Sequence, residues 1–141
     1  MITNERYNHI IAVARLMMDE TLKKYPDDEK KAEDMFVLGL LHDIGYEFGD
    51  NLDHNDIGGH ILERQNYKYF NEVKYHGVCE SNYQSNELDL LNYADMHINA
   101  RGDYVSFDER LEDIKNRRGG ESQAYISSKK IIDELIMKGY K

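Results

Sequence analysis

Six histidines and a few carboxylates are the residues of this 141-residue chain whose types and spacing point to chemistry. His42 and Asp43 are adjacent, where an apolar run from Met35 to Leu41 approaches Gly45. A helix end presents the negative pole of its dipole, which favours a cation there. Other histidines fall on apolar stripes at helical spacing. His9 shares one with Val13 and Leu16, His42 continues one from Met35 and Leu38, His54 leads one with Ile57 and Ile61, and His76 closes one with Tyr69 and Val73. Asp95 lies between Leu91 and Ile98 on an inward face. An unpaired carboxylate there costs on the order of several kcal/mol unless a cation or donors satisfy it. Taken singly, each histidine reads as a hydrogen-bonded core residue and Asp95 as the partner of an arginine. Taken together, five segments each aim a potential ligand inward, and one shared metal site explains all of them. Imidazole and carboxylate without thiolate suit manganese, iron, nickel, cobalt or zinc better than the oxygen cages of magnesium or calcium. Cys79 stands apart from the other candidates, which speaks against a Cys-rich structural zinc site. His60 follows His54 by six residues and His97 follows Asp95 by two, so both point off the stripes and are expected at the surface or behind the ligands.

The elements that must position these residues are helical almost throughout. The pattern predicts helices over about 4–25, 28–44, 54–66, 68–76, 87–100, from Ser106 to about Gly119-Gly120, and 122–138. Pro26 stops the first, Asp27 is the expected N-cap of the second and Gly45 its stop. Ser106 and Glu109 form a capping box. No segment alternates as a strand does, so the fold class is all-α: one bundle of about six to seven helices, residues 1–141 forming a single domain. The loops at 45–53 and 77–86 are candidates for the mouth of a site.

Composition narrows the partners. The formal net charge is −9, from 27 acidic and 18 basic residues, which argues against a long nucleic acid. A small anionic substrate stays compatible, because a bound metal reverses the local field. One cysteine excludes an internal disulfide and suits a reducing cytoplasm. Arg15 interrupts the only apolar stretch near the start, so neither a signal peptide nor a spanning helix is expected.

Several of these stretches occur together in a known family. Arg6-Tyr-Asn-His-Ile-Ile-Ala-Val-Ala14, Leu40-Leu-His-Asp-Ile-Gly45 and Leu90-Leu-Asn-Tyr-Ala-Asp95 resemble the three ligand segments of the HD-domain superfamily of metal-dependent phosphohydrolases. His54-Asn-Asp-Ile-Gly-Gly-His-Ile-Leu62 and Lys74-Tyr-His-Gly77 are similar to the two extra-histidine segments of its binuclear branch. The resemblance spans roughly residues 4–112. It implies that His9, His42, Asp43 and Asp95 hold a first divalent ion, and that Asp43 bridges to a second held by His54 and His76. Asp43, His54 and His76 are then the catalytic centre. It also implies hydrolysis of a phosphate ester or anhydride of a small, nucleotide-like molecule by a metal-activated water. Tyr46 stands where many members carry a lysine. The paired histidines and Gly-Tyr-Pro motif of the cyclic-dinucleotide branch are absent, and the spacing is closer to the branch that cleaves dinucleoside tetraphosphates.

Lys74, Arg101 and Arg110 are basic residues near the ligand segments in sequence, with Arg101 and Lys74 the expected substrate contacts. Alternatives stay open: a di-iron oxygenase using the same six ligands, or a non-catalytic metal-binding module. One ion or two also stays open, since His54 and His76 are equally placed to meet a phosphate. Oligomeric state is not legible.

Overall fold

The computed structural model describes residues 2–48 and 54–141. Among the described residues seven α-helices follow one another: α1 (Asn4–Lys24), α2 (Glu29–Leu41), α3 (His54–Arg64), α4 (Phe70–Tyr75), α5 (Asn86–His97), α6 (Phe107–Arg118) and α7 (Gln123–Met137). A 3₁₀ turn, Ile44–Glu47, lies between α2 and the segment before α3. Among the described residues the only β pairing is an isolated bridge between Ile98 and Tyr104. No described helix is long and apolar enough to cross a membrane.

Side-chain caps start most helices by satisfying N–H groups that have no partner within the helix. Thr3 accepts from the Arg6 amide, Ser85 from Leu88 and Ser122 from Tyr125. The Ser106/Glu109 capping box is present in both directions. The cap of α2 is Asp28 rather than Asp27; it accepts from the Lys31 amide, one residue later than the pattern predicts.

Helix α5 organises the interior because both of its sides are covered. On one side Leu91, Ala94 and Ile98 join Val13 and Met17 of α1 and Met35 and Leu38 of α2. On the other, Met96 joins Phe107 at the start of α6 and Ile131, Ile132 and Leu135 of α7. Helices α1 and α2 approach closely at Gly39, where a Cβ would lie 2.4 Å from Ala14 Cα. That approach brings the His9 end of α1 beside the His42 end of α2.

Helix α2 stops sooner than the predicted 28–44. It ends at Leu41, His42 is its C-cap, and Asp43 leads into the 3₁₀ turn. Gly45 is therefore not a helix stop. A Cβ on Gly45 would fall 1.7 Å from the His54 carbonyl oxygen, so the glycine is needed where the 3₁₀ turn meets the start of α3.

Candidate metal centre

Five pieces of chain deliver six side chains to one point. His9 comes from the first half of α1, His42 and Asp43 from the turn after α2, and His54 from the first residue of α3. His76 is the cap of α4, and Asp95 comes from the last turn of α5. His9, His42, Asp43, His76 and Asp95 are buried and His54 is half-buried.

Backbone carbonyls fix three of the imidazoles. His9 donates through Nδ1 to the Asn99 carbonyl at 2.9 Å, His42 to Gly39 at 2.6 Å and His76 to Val73 at 2.6 Å. A carbonyl only accepts, so in each neutral ring the proton sits on Nδ1 and Nε2 carries a lone pair. Those Nε2 atoms converge. His9 Nε2 lies 2.8 Å from Asp95 Oδ1, and His42 Nε2 lies 3.5 Å from the same oxygen. His54 Nε2 and His76 Nε2 are 3.2 Å apart.

Asp43 sits between the two groups. Its Oδ2 faces His42 Nε2 at 3.3 Å and His9 Nε2 at 3.8 Å. Its Oδ1 faces His54 Nε2 and His76 Nε2, each at 3.4 Å. Two trios, His9/His42/Asp95 and His42/Asp43/His76, have ligand atoms close enough together to share a cation. The buried Nε2 of His42 has no hydrogen-bond partner. Imidazole lone pairs and carboxylate oxygens facing one another repel unless something positive lies between them. The donor set fits a divalent ion.

The proton balance of the metal-free cluster agrees. Burial alone would raise the pKa of Asp43 and Asp95, but the facing imidazoles outweigh it and hold both carboxyls well below the usual range. Burial disfavours a charged His42, yet Asp43 and Asp95 overcome that and push its pKa up to about 10. Burial keeps His76 neutral, lowering its pKa against the pull of Asp43. A proton on His42 is the positive charge that the cluster holds without a metal. A bound divalent ion would supply that charge in place of the proton.

A cleft of about 770 Å³ opens over the cluster. Arg6 lines it, with Nη1 3.1 Å from Asp43 Oδ2 and the guanidinium 4.0 Å over the Tyr46 ring. The other face of this short stack continues from Tyr46 to His54, ring centroids 4.1 Å apart. Gly77, Val78 and Cys79 form part of the rim, as does Tyr46; residues 49–53 of the other expected mouth loop lie outside the described residues. Cys79 is closer to the site than its place in the sequence suggests, but it is outside both ligand trios.

The expected substrate contacts are displaced. Arg101 does not line the cleft; it is exposed and lies 3.7 Å from Asp103, because the chain turns back after α5 instead of continuing as helix to residue 100. Lys74 does not line it either; it packs beside Gly59 of α3, with its ammonium near the Tyr75 ring. Arg110 does line it, with Arg117 and Arg118 from the same helix. Arg6 was findable, being three residues before His9 on one helix face. His60 is exposed as expected and bonds within α3. His97 is not at the surface: it is 2% exposed, because α5 is covered on both sides.

The HD domain profile matches residues 6–119, which contain all six clustered residues. The chain belongs to the HD domain family. No curated protein and no solved structure matches it. HD domains are mostly metal-dependent hydrolases, and here the family's His/Asp pair stands at the centre of a cluster suited to a divalent cation.

Proposed function

We propose that this HD domain is a metal-dependent phosphohydrolase acting on a small nucleotide-like phosphate ester or anhydride. The observation that carries the reading is Asp43, whose two oxygens face two different pairs of imidazoles. In this reading His9, His42, Asp43 and Asp95 hold one ion, and Asp43, His54 and His76 a second. Manganese, iron, nickel, cobalt and zinc all suit the donors. Divalent ions held there would supply an activated water near neutral pH and offset charge on the phosphoryl oxygens.

The chain's own residues do the rest. The carbonyls of Gly39, Val73 and Asn99 keep the ligand tautomers fixed, as outer partners of metal ligands do. Arg6, next to Asp43, offers a fixed guanidinium to an anion in the cleft. Arginines along the cleft favour a phosphorylated substrate.

The test is phosphate release from nucleotides, dinucleoside polyphosphates and sugar phosphates by manganese-loaded protein, beside Asp43→Ala. Metal-dependent release by the parent and none by the variant is the expected result. Silence across the panel, in protein shown to retain metal, would overturn the reading.

A further inference from the structure

The clustered histidines do not rest on equal supports. His9 sits inside α1, a helix of 21 residues, and His42 closes α2, one of 13. His76 closes α4, which has only 6. A helix that short has few internal hydrogen bonds and does not fix its own end. Yet His76 Nε2 stands 3.2 Å from His54 Nε2 and 3.4 Å from Asp43 Oδ1. Its place in the cluster must be set from outside α4.

The backbone groups on either side of His76 show how. The Val73 carbonyl accepts from the His76 ring, and the Tyr75 carbonyl accepts from the Val78 amide at 3.1 Å. The Lys74 carbonyl between them accepts from a side chain, Asn55 Nδ2, at 2.8 Å. Beyond His76, the Gly77 amide donates to Asn92 Oδ1 at 3.0 Å. Asn55 follows His54 at the start of α3. Asn92 is buried on α5, one turn before Asp95. The Gly77 N–H belongs to the planar peptide unit whose rotation is the ψ angle of His76. The bond to Asn92 therefore holds that angle at its 139°. Gly77 has φ +73°, which only a glycine adopts without steric penalty, and the chain turns there straight after the histidine.

We propose that Asn55 and Asn92 are positioning residues that clamp His76 from α3 and from α5, and so set the His54/His76 half of the cluster. The proposal rests on the two-ion reading above and assigns the support of the second ion to two side chains outside the ligand set. Both amides act through the backbone that carries His76. Helix α5 then serves both halves of the cluster, one through Asp95 and the other through Asn92. Losing either asparagine loosens His76, whereas His9 and His42 keep their own carbonyl partners at Asn99 and Gly39. The loss should therefore fall on one ion and spare the other, as removal of an outer partner of a metal ligand does.

The test is a manganese titration of the full chain, with free ion followed by electron paramagnetic resonance. The proteins are the parent, Asn92→Ala, Asn55→Ala, Asn92→Asp and a control, Thr21→Ala, which removes a buried hydroxyl bonded to the Met17 carbonyl. In both asparagine-to-alanine variants one ion should bind about tenfold or more weakly and the other within about twofold of the parent. Asn92→Asp still accepts from the Gly77 amide and should recover most of the loss; Thr21→Ala should bind as the parent does. Equal weakening of both ions, an asparagine-to-alanine variant that weakens neither, or no recovery in Asn92→Asp overturns the clamp. Should Asn92→Ala not fold, Asn55→Ala, at a half-buried position, carries the same test. Nitrogen NMR of the histidine rings in metal-free protein gives a readout that needs no ion. His76 should keep its proton on Nδ1 in the parent and exchange between tautomers in the asparagine-to-alanine variants, with His9 unchanged. An unchanged His76 overturns the clamp however many ions the parent binds. A parent with one ion, and a His76 loosened in the variants, removes the two-ion reading and leaves the clamp standing. Phosphate release enters neither readout, so the hydrolase stands or falls separately.

Discussion

His42 and His97 are two buried histidines with the same local habits and different surroundings. Each is 2% exposed or less. Each donates through Nδ1 to a backbone carbonyl, His42 to Gly39 and His97 to Val105. Each leaves its Nε2 buried without a hydrogen-bond partner. Around His42 Nε2 stand Asp43 and Asp95, with two more imidazoles beyond them. Around the His97 ring stand Phe107 and Tyr104, stacked at 4.0 and 5.1 Å between centroids, and Tyr93 edge-on at 4.8 Å. Burial, a fixed tautomer and an orphaned nitrogen therefore do not by themselves make a metal ligand. The converging carboxylates do. The aromatic nest instead ties α5 to α6 and to the bend after Ile98, a packing role.

The largest effect should separate the two histidine nests by activity. Asp43→Ala removes the carboxylate shared by both halves of the cluster. Metal-dependent phosphate release should fall by at least about 10³-fold in kcat/KM. His97→Ala should keep kcat/KM within about threefold, since the ring touches none of the six clustered residues. A comparable loss in both variants would show that the aromatic nest belongs to the working site.

Stability should reverse that ranking. Truncating His97 opens a cavity among Phe107, Tyr93 and Tyr104 and should cost about 3 kcal/mol in urea unfolding of metal-free protein. The divalent ion should then raise Tm by the same amount in His97→Ala as in the parent. In His42→Ala the rise should be mostly lost, because the ligand that faces both carboxylates is gone.

This contrast also shows how far the sequence could be read. His42 and Asp95 were legible because each interrupts a stripe that packing alone would fill with apolar residues. The helices were legible from periodicity, and the Ser106/Glu109 box from its spacing. His97 was misplaced for the same reason that Asp95 was found. A single stripe reveals the one face pointing into a core, and α5 has a second core on its other side. Gly45 read as a helix stop because no local signal distinguishes that from a glycine demanded by the His54 backbone 9 residues later. Arg101 followed from proximity along the chain, whereas Arg117 and Arg118 reach the cleft only through the fold-back of α6.

Proton competition should distinguish the nests at intermediate size. Without metal, the His42 pKa is raised from 6.5 to about 10. Its contribution to stability is therefore complete below 6.5 and is lost as pH climbs toward 10. Asp43 and Asp95 are depressed, so theirs is present above 3.8 and lost on acidification. An ion must displace the His42 proton, which becomes easier as that proton becomes weakly held. The Tm gap between metal-loaded and metal-free protein should widen by several degrees from about pH 6 to about pH 9, in the parent and in His97→Ala alike. A gap that stays constant over that range would mean that no ligand proton is exchanged for the ion.

The smallest effect tests whether the nests are mechanically separate. Ser106 caps α6 immediately before Phe107, the residue stacked on His97. Ser106→Ala removes one half of the capping box and should cost about 1 kcal/mol. The fraying falls on the first turn of α6, at the aromatic nest, whereas Arg118 lies at the helix's other end. Metal affinity, measured by titration with manganese, should therefore stay within about twofold while unfolding shifts to lower urea. A weakened affinity would have a direct route to the cluster through Arg110 and the Asp95 carbonyl that it holds at 3.2 Å. Arg110→Ala would then weaken manganese binding at least as much, and α6 would be positioning a ligand as well as lining the cleft.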